Sequence, residues 1–256
     1  MNILCVGDVI GSVGSDFLRS RLPSLKRLKA IDCVIVNGEN SADTNGITPS
    51  SADHLLTSGA DCITTGNHSF QRKEAISMYE SELPVIRPAN YPPGVPGRGY
   101  HILDFGRLSV CVINLMGLAY MNEPLDCPFR TADRILEETK CRINIVDFHA
   151  ESTAEKRCLA EYLSGRVSAV FGTHTHVMTA DEQILNGSTG FITDVGMTGP
   201  VDSVIGCKTE SALKKMTTHM PTRLDYASGN CMLNAVLFTI DDSTGRTTAA
   251  ERIDIR

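Results

Sequence analysis

Only seven histidines occur in the 256 residues, and two of them, His174 and His176, stand one residue apart in the stretch VFGTHTHVMTADEQI. Val167 to Phe171 read as a short buried strand, Gly172 breaks it, and both imidazoles project from the loop that follows. Alternate residues of an extended chain face one way, so the pair is expected on one side. Such a pair is either a solvated loop feature or two metal ligands. Other polar motifs bear on the choice, because they too follow short apolar runs. NILCVGD ends in Asp8, DCVIVNGEN in Glu39 and Asn40, DCITTGNH in Asn67 and His68, and INIVDFH in His149.

Taken singly, each motif has an ordinary explanation. Asp after Gly is a common turn or helix cap, Asn-Gly is a turn signal, and a lone histidine is more often a hydrogen-bonded core residue. Taken together, they are carboxylates, amide oxygens and imidazoles at five strand ends. In α/β sheets the carboxyl ends of the strands share one rim, where ligands bind. A mixed oxygen and nitrogen donor set without thiolate suits Fe, Mn or Zn and disfavours a cysteine-rich structural site.

The elements that must carry these residues alternate in the first half: strand at NILCVG, helix near Val13 to Lys29, strand at DCVIVN, helix near Pro49 to Ser58, strand at DCITTG, helix from about Arg72 to Ser81. That order implies a parallel sheet with helical crossovers. After the Pro/Gly-rich loop YPPGVPG, two strands flank Gly106-Arg107 as a hairpin. A helix near Thr131 to Thr139, the strand INIVDF, a helix near Thr153 to Leu163 and the strand VSAVFG follow. Two further strands surround the turn Asp-Asp-Ser-Thr-Gly-Arg. This second half is expected to build a second, more antiparallel sheet. The fold class is therefore α/β, a four-layer αββα sandwich of two mixed sheets, with residues 1–256 in a single domain. The polar stretch at about 199–225 reads as irregular, a flap over a site.

A formal charge of −6 argues against a broad basic surface for long nucleic acid, though not against one nucleotide in a pocket. No run of 18 apolar residues exists, so no membrane helix is expected. The N-terminus enters a strand at once, and the chain is read as mature and cytoplasmic. Nine cysteines, an odd number without a CxxC, are read as reduced thiols. GDVIGSVG has the glycine spacing G-x-x-x-G-x-x-G rather than that of a dinucleotide loop, and neither a phosphate-binding Walker loop nor a G-x-S-x-G nucleophile elbow is present.

The ordered set GD, GEN, GNH, DFHAE and GTHTHVMTADE resembles the motifs of calcineurin-like metallophosphoesterases, and most closely their YmdB-like branch. The resemblance runs over nearly the whole chain. It implies a dinuclear-metal phosphodiesterase that hydrolyses small cyclic nucleotides (2′,3′-cyclic NMP) through a metal-bridging hydroxide. It further implies that Glu39 bridges two divalent transition metals, Fe or Mn before Zn. Asp8, Asn40 and His176 would complete one site, and Asn67, His149 and His174 the other. His68 would approach the substrate without binding metal. An imidazole there suits the catalytic acid that protonates the departing oxygen, the alternative being a donor that only steadies charge on the phosphoryl oxygens. Alternatives on the same site are a phosphomonoesterase or nucleotidase, and a weakly active regulatory protein that binds metal and nucleotide. A homo-oligomer is compatible with all three. Two positions depart from the wider superfamily. Its D-x-H pattern has Ile10 in place of histidine, and Ser69 follows GNH where Asp or Glu is frequent, so the motif does not supply the residue that orients His68.

Overall fold

The computed structural model describes residues 1–256. In chain order the elements are β1 (Asn2–Val6), β2 (Asp8–Val9), α1 (Gly11–Lys29), β3 (Cys33–Asn37), α2 (Pro49–Thr57), β4 (Cys62–Thr64), α3 (Ala75–Tyr79), β5 (Tyr100–Asp104), β6 (Ser109–Met116), α4 (Pro128–Thr139), β7 (Ile143–His149), α5 (Thr153–Leu163), β8 (Ala169–Thr173), β9 (Gln183–Leu185), β10 (Thr189–Ile192), β11 (Met197–Pro200), α6 (Thr209–Thr218), β12 (Cys231–Ile240) and β13 (Thr247–Ile255). One sheet has the order β2-β11-β12-β1-β3-β4, with β13 also paired to β12; the other runs β5-β6-β7-β8-β10-β9.

Alternation along each strand builds the layers. In β1, Leu4 and Val6 pack with Leu18 and Leu22 of α1 and Leu55 of α2, while Ile3 and Cys5 face the second sheet. In β6, Val110 and Val112 meet them from the other side. Cys111, Ile113 and Leu115 pack instead with Ile135 of α4 and Leu159 of α5. Both faces of these strands are buried, which is why they read as unbroken apolar runs. The result is the expected αββα sandwich of two mixed sheets.

Two expectations need correction. The second sheet is not mainly antiparallel: β6, β7, β8 and β10 run parallel, and only β5 and β9 are antiparallel edges. The C-terminal hairpin instead enters the first sheet, where β12 lies antiparallel to β1 and to β11. A hairpin's own pattern says nothing about which sheet edge it joins. The stretch 199–225 is also less irregular than expected, since it holds α6. Ala212 is the only buried residue of that helix, so it carries almost no apolar stripe to read. The short strands β9 and β10 went unpredicted, although Asn186 and Gly187 between them are both at positive φ, as an Asn-Gly hairpin turn requires.

Candidate metal centre

The parallel strands of both sheets end on the same rim, and their polar residues meet there. Gly7 leaves β1 where a Cβ would lie 2.1 Å from the Gly196 carbonyl oxygen, so only glycine lets the chain turn there. Asp8 follows, fully buried. Its Oδ2 accepts from the His174 backbone N–H at 3.2 Å, while its Oδ1 accepts no hydrogen bond. After β3, the Asn37 Oδ1 accepts from the Glu39 N–H at 3.2 Å and folds the chain back into the rim. Glu39 is 1% exposed; its Oε2 accepts from the His68 N–H at 3.0 Å, and its Oε1 lies 3.4 Å from His149 Nε2. After β4, Gly66 leaves room for the His149 ring, which a Cβ would meet at 2.2 Å. Asn67 Oδ1 is 2.9 Å from His149 Nε2.

Each of the three clustered imidazoles has a partner on its far side. Thr173 Oγ1 donates to Asp147 Oδ1 at 2.7 Å, so it accepts from His149 Nδ1 at 2.9 Å. His149 then carries its proton on Nδ1 and turns the Nε2 lone pair toward Glu39 and Asn67. His174 presents Nδ1 to His149 Nε2 at 3.1 Å and has Glu151 Oε2 at 3.1 Å from its Nε2. His176 donates from Nδ1 to the Ile205 carbonyl at 2.8 Å, leaving Nε2 3.5 Å from Asp8 Oδ1. Asn40 completes this side, with its Nδ2 3.4 Å from His176 Nε2. Asp8, Glu39 and His149 alone bring potential ligand atoms within 4.8 Å of one another, and the two later histidines flank that group.

The geometry of the opening pair differs from its first reading. His174 and His176 do not share a side through an extended chain: both have positive φ, +102° and +63°, and the backbone turns at each. His174 is thereby aimed at His149 and His176 at Asp8. Non-glycine residues adopt such angles at a cost of about 1–3 kcal/mol, and they cluster at functional sites.

Charge in the cluster is tightly balanced. Burial pushes the Asp8 carboxyl up, but the neighbouring His176 overrides it and leaves Asp8 below its ordinary value. Glu39 is likewise held well below the usual carboxylate range, against its burial, by His149 and His68. His176 rises to about 9 because Asp8 outweighs its burial. His174 falls to about 4 through burial and the nearby His149. Buried carboxylates that draw protons onto imidazoles are asking for positive charge in the space between them.

The supporting residues were only partly legible. Asp147 lies beside His149 in sequence but acts through Thr173. It also accepts from Thr64 Oγ1 at 2.5 Å and Asn37 Nδ2 at 3.2 Å, and burial pushes its pKa up to about 7. Glu151, two residues after His149, stands against His174. Asp181 accepts from the side chains of Thr179 and Thr193 and tethers the loop. His54 packs against Asp16, His101 sits on the edge strand β5, and His219 ends α6, all outside the cluster. Three residues gave no sequence signal: Lys156 and Asp194, buried partners at 2.7 Å, and Tyr226, whose hydroxyl is 3.2 Å from Asn40 Oδ1. Asp194 lies at a sixth strand end, and reading β10 as a strand would have found it. A cavity of about 730 Å³, lined by Arg87, Tyr91, Arg130 and Arg134, contains none of the clustered residues.

Layering, rim and donor set together define a metallophosphoesterase-like fold with a buried Asp/Glu/His group. The chain belongs to the YmdB-like family, whose model matches residues 4–253. It is 43% identical over 255 residues to the 2′,3′-cyclic-nucleotide 2′-phosphodiesterase of Bacillus subtilis (strain 168), covering 99% of this chain and 96% of that one. A crystal structure of a hypothetical protein from Thermus thermophilus superimposes with a TM-score of 0.94 at 41% identity, covering 100% and 99% of the two chains. A Mycoplasma pneumoniae structure described as a novel phosphatase gives 0.93 at 31% identity, covering 100% of this chain and 93% of its own. No helix is long and apolar enough to cross a membrane.

Proposed function

We propose that this chain is a metal-dependent phosphodiesterase of small cyclic nucleotides, with two divalent transition metals, Fe or Mn, held at the rim. The observation that carries this reading is Asp8 Oδ1, buried without a hydrogen bond in the group it forms with Glu39 and His149. A buried carboxylate oxygen left unpaired is costly unless a cation completes it. The 43% identical Bacillus subtilis enzyme supports the substrate class. Glu39 would bridge the metals, with Asp8, Asn40 and His176 on one and Asn67, His149 and His174 on the other. Two divalent cations would polarise phosphoryl oxygens and lower the pKa of a bound water.

The chain's own part is to fix these donors and to exclude competing ones. Thr173, Glu151 and the Ile205 carbonyl each hold an imidazole so that its other nitrogen faces inward. His68, partly exposed at the mouth of the rim, is placed to donate a proton to the departing ribose oxygen. Residues 1–256 act as one domain, and the 199–225 segment serves as its flap, because Ile205 within it grips His176. Nine free thiols fit a reducing compartment, so we assign the enzyme to the cytoplasm.

The test is a substrate panel of 2′,3′-cAMP, 3′,5′-cAMP, AMP and bis-p-nitrophenyl phosphate, assayed with Mn or Fe, beside elemental analysis. Two metals per chain and preferred turnover of 2′,3′-cAMP are expected. Faster release of phosphate from AMP would make the protein a phosphomonoesterase. Metal uptake without turnover of any substrate would leave a binding protein and end the enzyme reading.

A further inference from the structure

The cyclic phosphate and the base of a 2′,3′-cyclic nucleotide hang on one ribose ring, so an enzyme that holds the phosphate at the rim has the base close beside it. The 730 Å³ cavity contains none of the clustered residues, but a second cavity, of about 400 Å³, borders the cluster on two sides. One side is His176 itself. Its ring turns Nε2 toward Asp8 and donates from Nδ1 to the carbonyl of Ile205, which also lines the cavity. The other side is Met197, which lies directly opposite Asp8 in the ladder between β2 and β11.

We propose that this cavity is the nucleobase site, and that the side-chain carbonyl of Asn234 selects a base presenting an amino group, as adenine does, over one presenting a carbonyl in the same place, as hypoxanthine does. The inference rests on the phosphodiesterase reading above and narrows its substrates to cyclic nucleotides of amino-bearing bases.

The lining suits an aromatic ring. Met178, Met197 and Met232 bring three thioethers from three different segments, the loop before β9, β11 and β12. Methionine is flexible and polarizable, and its sulfur makes favourable contacts with aromatic rings. Small-molecule sites are mostly apolar, with a few fixed polar groups that set orientation. The charged residues at this cavity are partly exposed and already paired. Arg252 meets Glu182 at 2.9 Å, and Arg256 meets Asp254 at 3.6 Å.

Asn234 is the buried polar group among them. It is 3% exposed and lies on β12 opposite Asp254 of β13. Its Nδ2 donates to Asp254 Oδ1 at 3.1 Å. A carboxylate only accepts, so this bond decides which end of the amide faces β13 and turns Oδ1 the other way. That oxygen takes no hydrogen bond from the chain. Gly196, at φ +80°, leaves it uncovered, since a Cβ there would stand 2.7 Å away. The cavity thus has one acceptor, fixed in orientation, in a methionine-lined wall. An exocyclic amino group satisfies it. A carbonyl oxygen in the same place sets acceptor against acceptor and leaves both unpaired. A buried polar group left without its partner weakens binding about tenfold to a hundredfold.

The experiment uses the full chain with diamagnetic Zn²⁺ added, ¹³C-labelled at the methionine methyls, and titrated with adenosine or inosine. An aromatic ring against a thioether moves its methyl signal, and single Met→Leu variants identify the signals. Adenosine is expected to shift Met178, Met197 and Met232 and to leave Met78 of α3 in place. Inosine should need about tenfold to a hundredfold more to do the same. In Asn234→Leu the two nucleosides should bind alike. The ratio of kcat/KM for 2′,3′-cyclic AMP to that for 2′,3′-cyclic IMP should then fall by the same factor, toward one. A merely structural Asn234 would lower both rates together and keep their ratio, and that result would overturn the selectivity. Adenosine that leaves all three methyls of the wild-type chain unmoved would overturn the site itself, however the variant folds. Shifts at those methyls in a chain that hydrolyses neither cyclic nucleotide would uphold the base site and overturn the phosphodiesterase reading instead.

Discussion

His174 and His176 differ in what stands behind them. The His174 side of the cluster offers two imidazoles, its own and that of His149, whose rings meet edge to face at 4.9 Å. The His176 side offers one imidazole, with Asp8 and the neutral amide of Asn40. An amide oxygen is a poorer donor to transition metals than imidazole. His176→Ala should therefore lose metal at lower chelator concentration than His174→Ala, as measured by elemental analysis after dialysis against a chelator series. Equal losses would contradict the assignment of the two residues to different metals. The gathering of these residues was largely legible from their types at strand ends, because carboxylate, amide and imidazole in one region have few other uses; their division between two metals came from the family resemblance alone. The partners behind them were not legible. Nothing in the sequence links Thr173 to His149, 24 residues away, since the contact exists only once β7 and β8 lie side by side.

Between elements, the loop bearing the two histidines is pinned by a buried ion pair. Lys156 of α5 reaches Asp194, just after β10, at 2.7 Å, and neither side chain is more than 1% exposed. Asp194 Oδ2 also accepts from the N–H of Thr175, the residue between the histidines, and its Oδ1 from that of Gly196. Lys156→Met would leave Asp194 buried and uncompensated. A loss of about 3–5 kcal/mol in urea unfolding is expected, with weaker metal retention. The double variant Lys156→Met, Asp194→Asn should recover much of the stability, since it removes both charges and keeps an acceptor for Thr175. At the other end of the molecule, the β12–β13 turn was readable from Asp-Asp-Ser-Thr-Gly-Arg alone. Asp241 Oδ1 accepts from the backbone and hydroxyl groups of both Ser243 and Thr244, and these bonds lower its pKa to about 2. A carboxylate lowered in the folded state stabilises above its unfolded pKa, and that contribution fades as pH falls from about 4 toward 2. Asp241→Ala should thus lower Tm at neutral pH, and the gap to wild type should narrow across that acid window. A constant gap would mean that packing, not the charge, matters there. The sheet that this hairpin joins was not legible, because β12 is buried on both faces and would suit either sheet.

Across the whole molecule, the cluster joins the two halves of the sandwich. Asp8, Glu39 and Asn67 come from the first sheet, and His149, His174 and His176 from the second, with Asn37 to Asp147 as a direct cross-sheet hydrogen bond. A cation held by both sets binds only the assembled state. Metal at 100 times its Kd should add about 2.7 kcal/mol of stability. Tm should rise with added Mn²⁺ and fall with chelator, and Glu39→Gln should remove most of that response; an unchanged response would deny Glu39 its bridging place. The position of β12 between β1 and β11 has a further consequence, for the chain on the ribosome. β3, the neighbour of β1 on one side, follows at once, but more than two hundred residues are made after β1 before β12 appears on the other, roughly ten to forty seconds at ordinary elongation rates. Between the synthesis of Asn67 and that of His149, roughly eighty residues, Asp8, Glu39, Asn40 and Asn67 exist without the three imidazoles, an oxygen-only set that would suit hard cations such as Mg²⁺ as readily as Fe or Mn. Discrimination among metals would therefore belong only to a chain that already carries all three imidazoles.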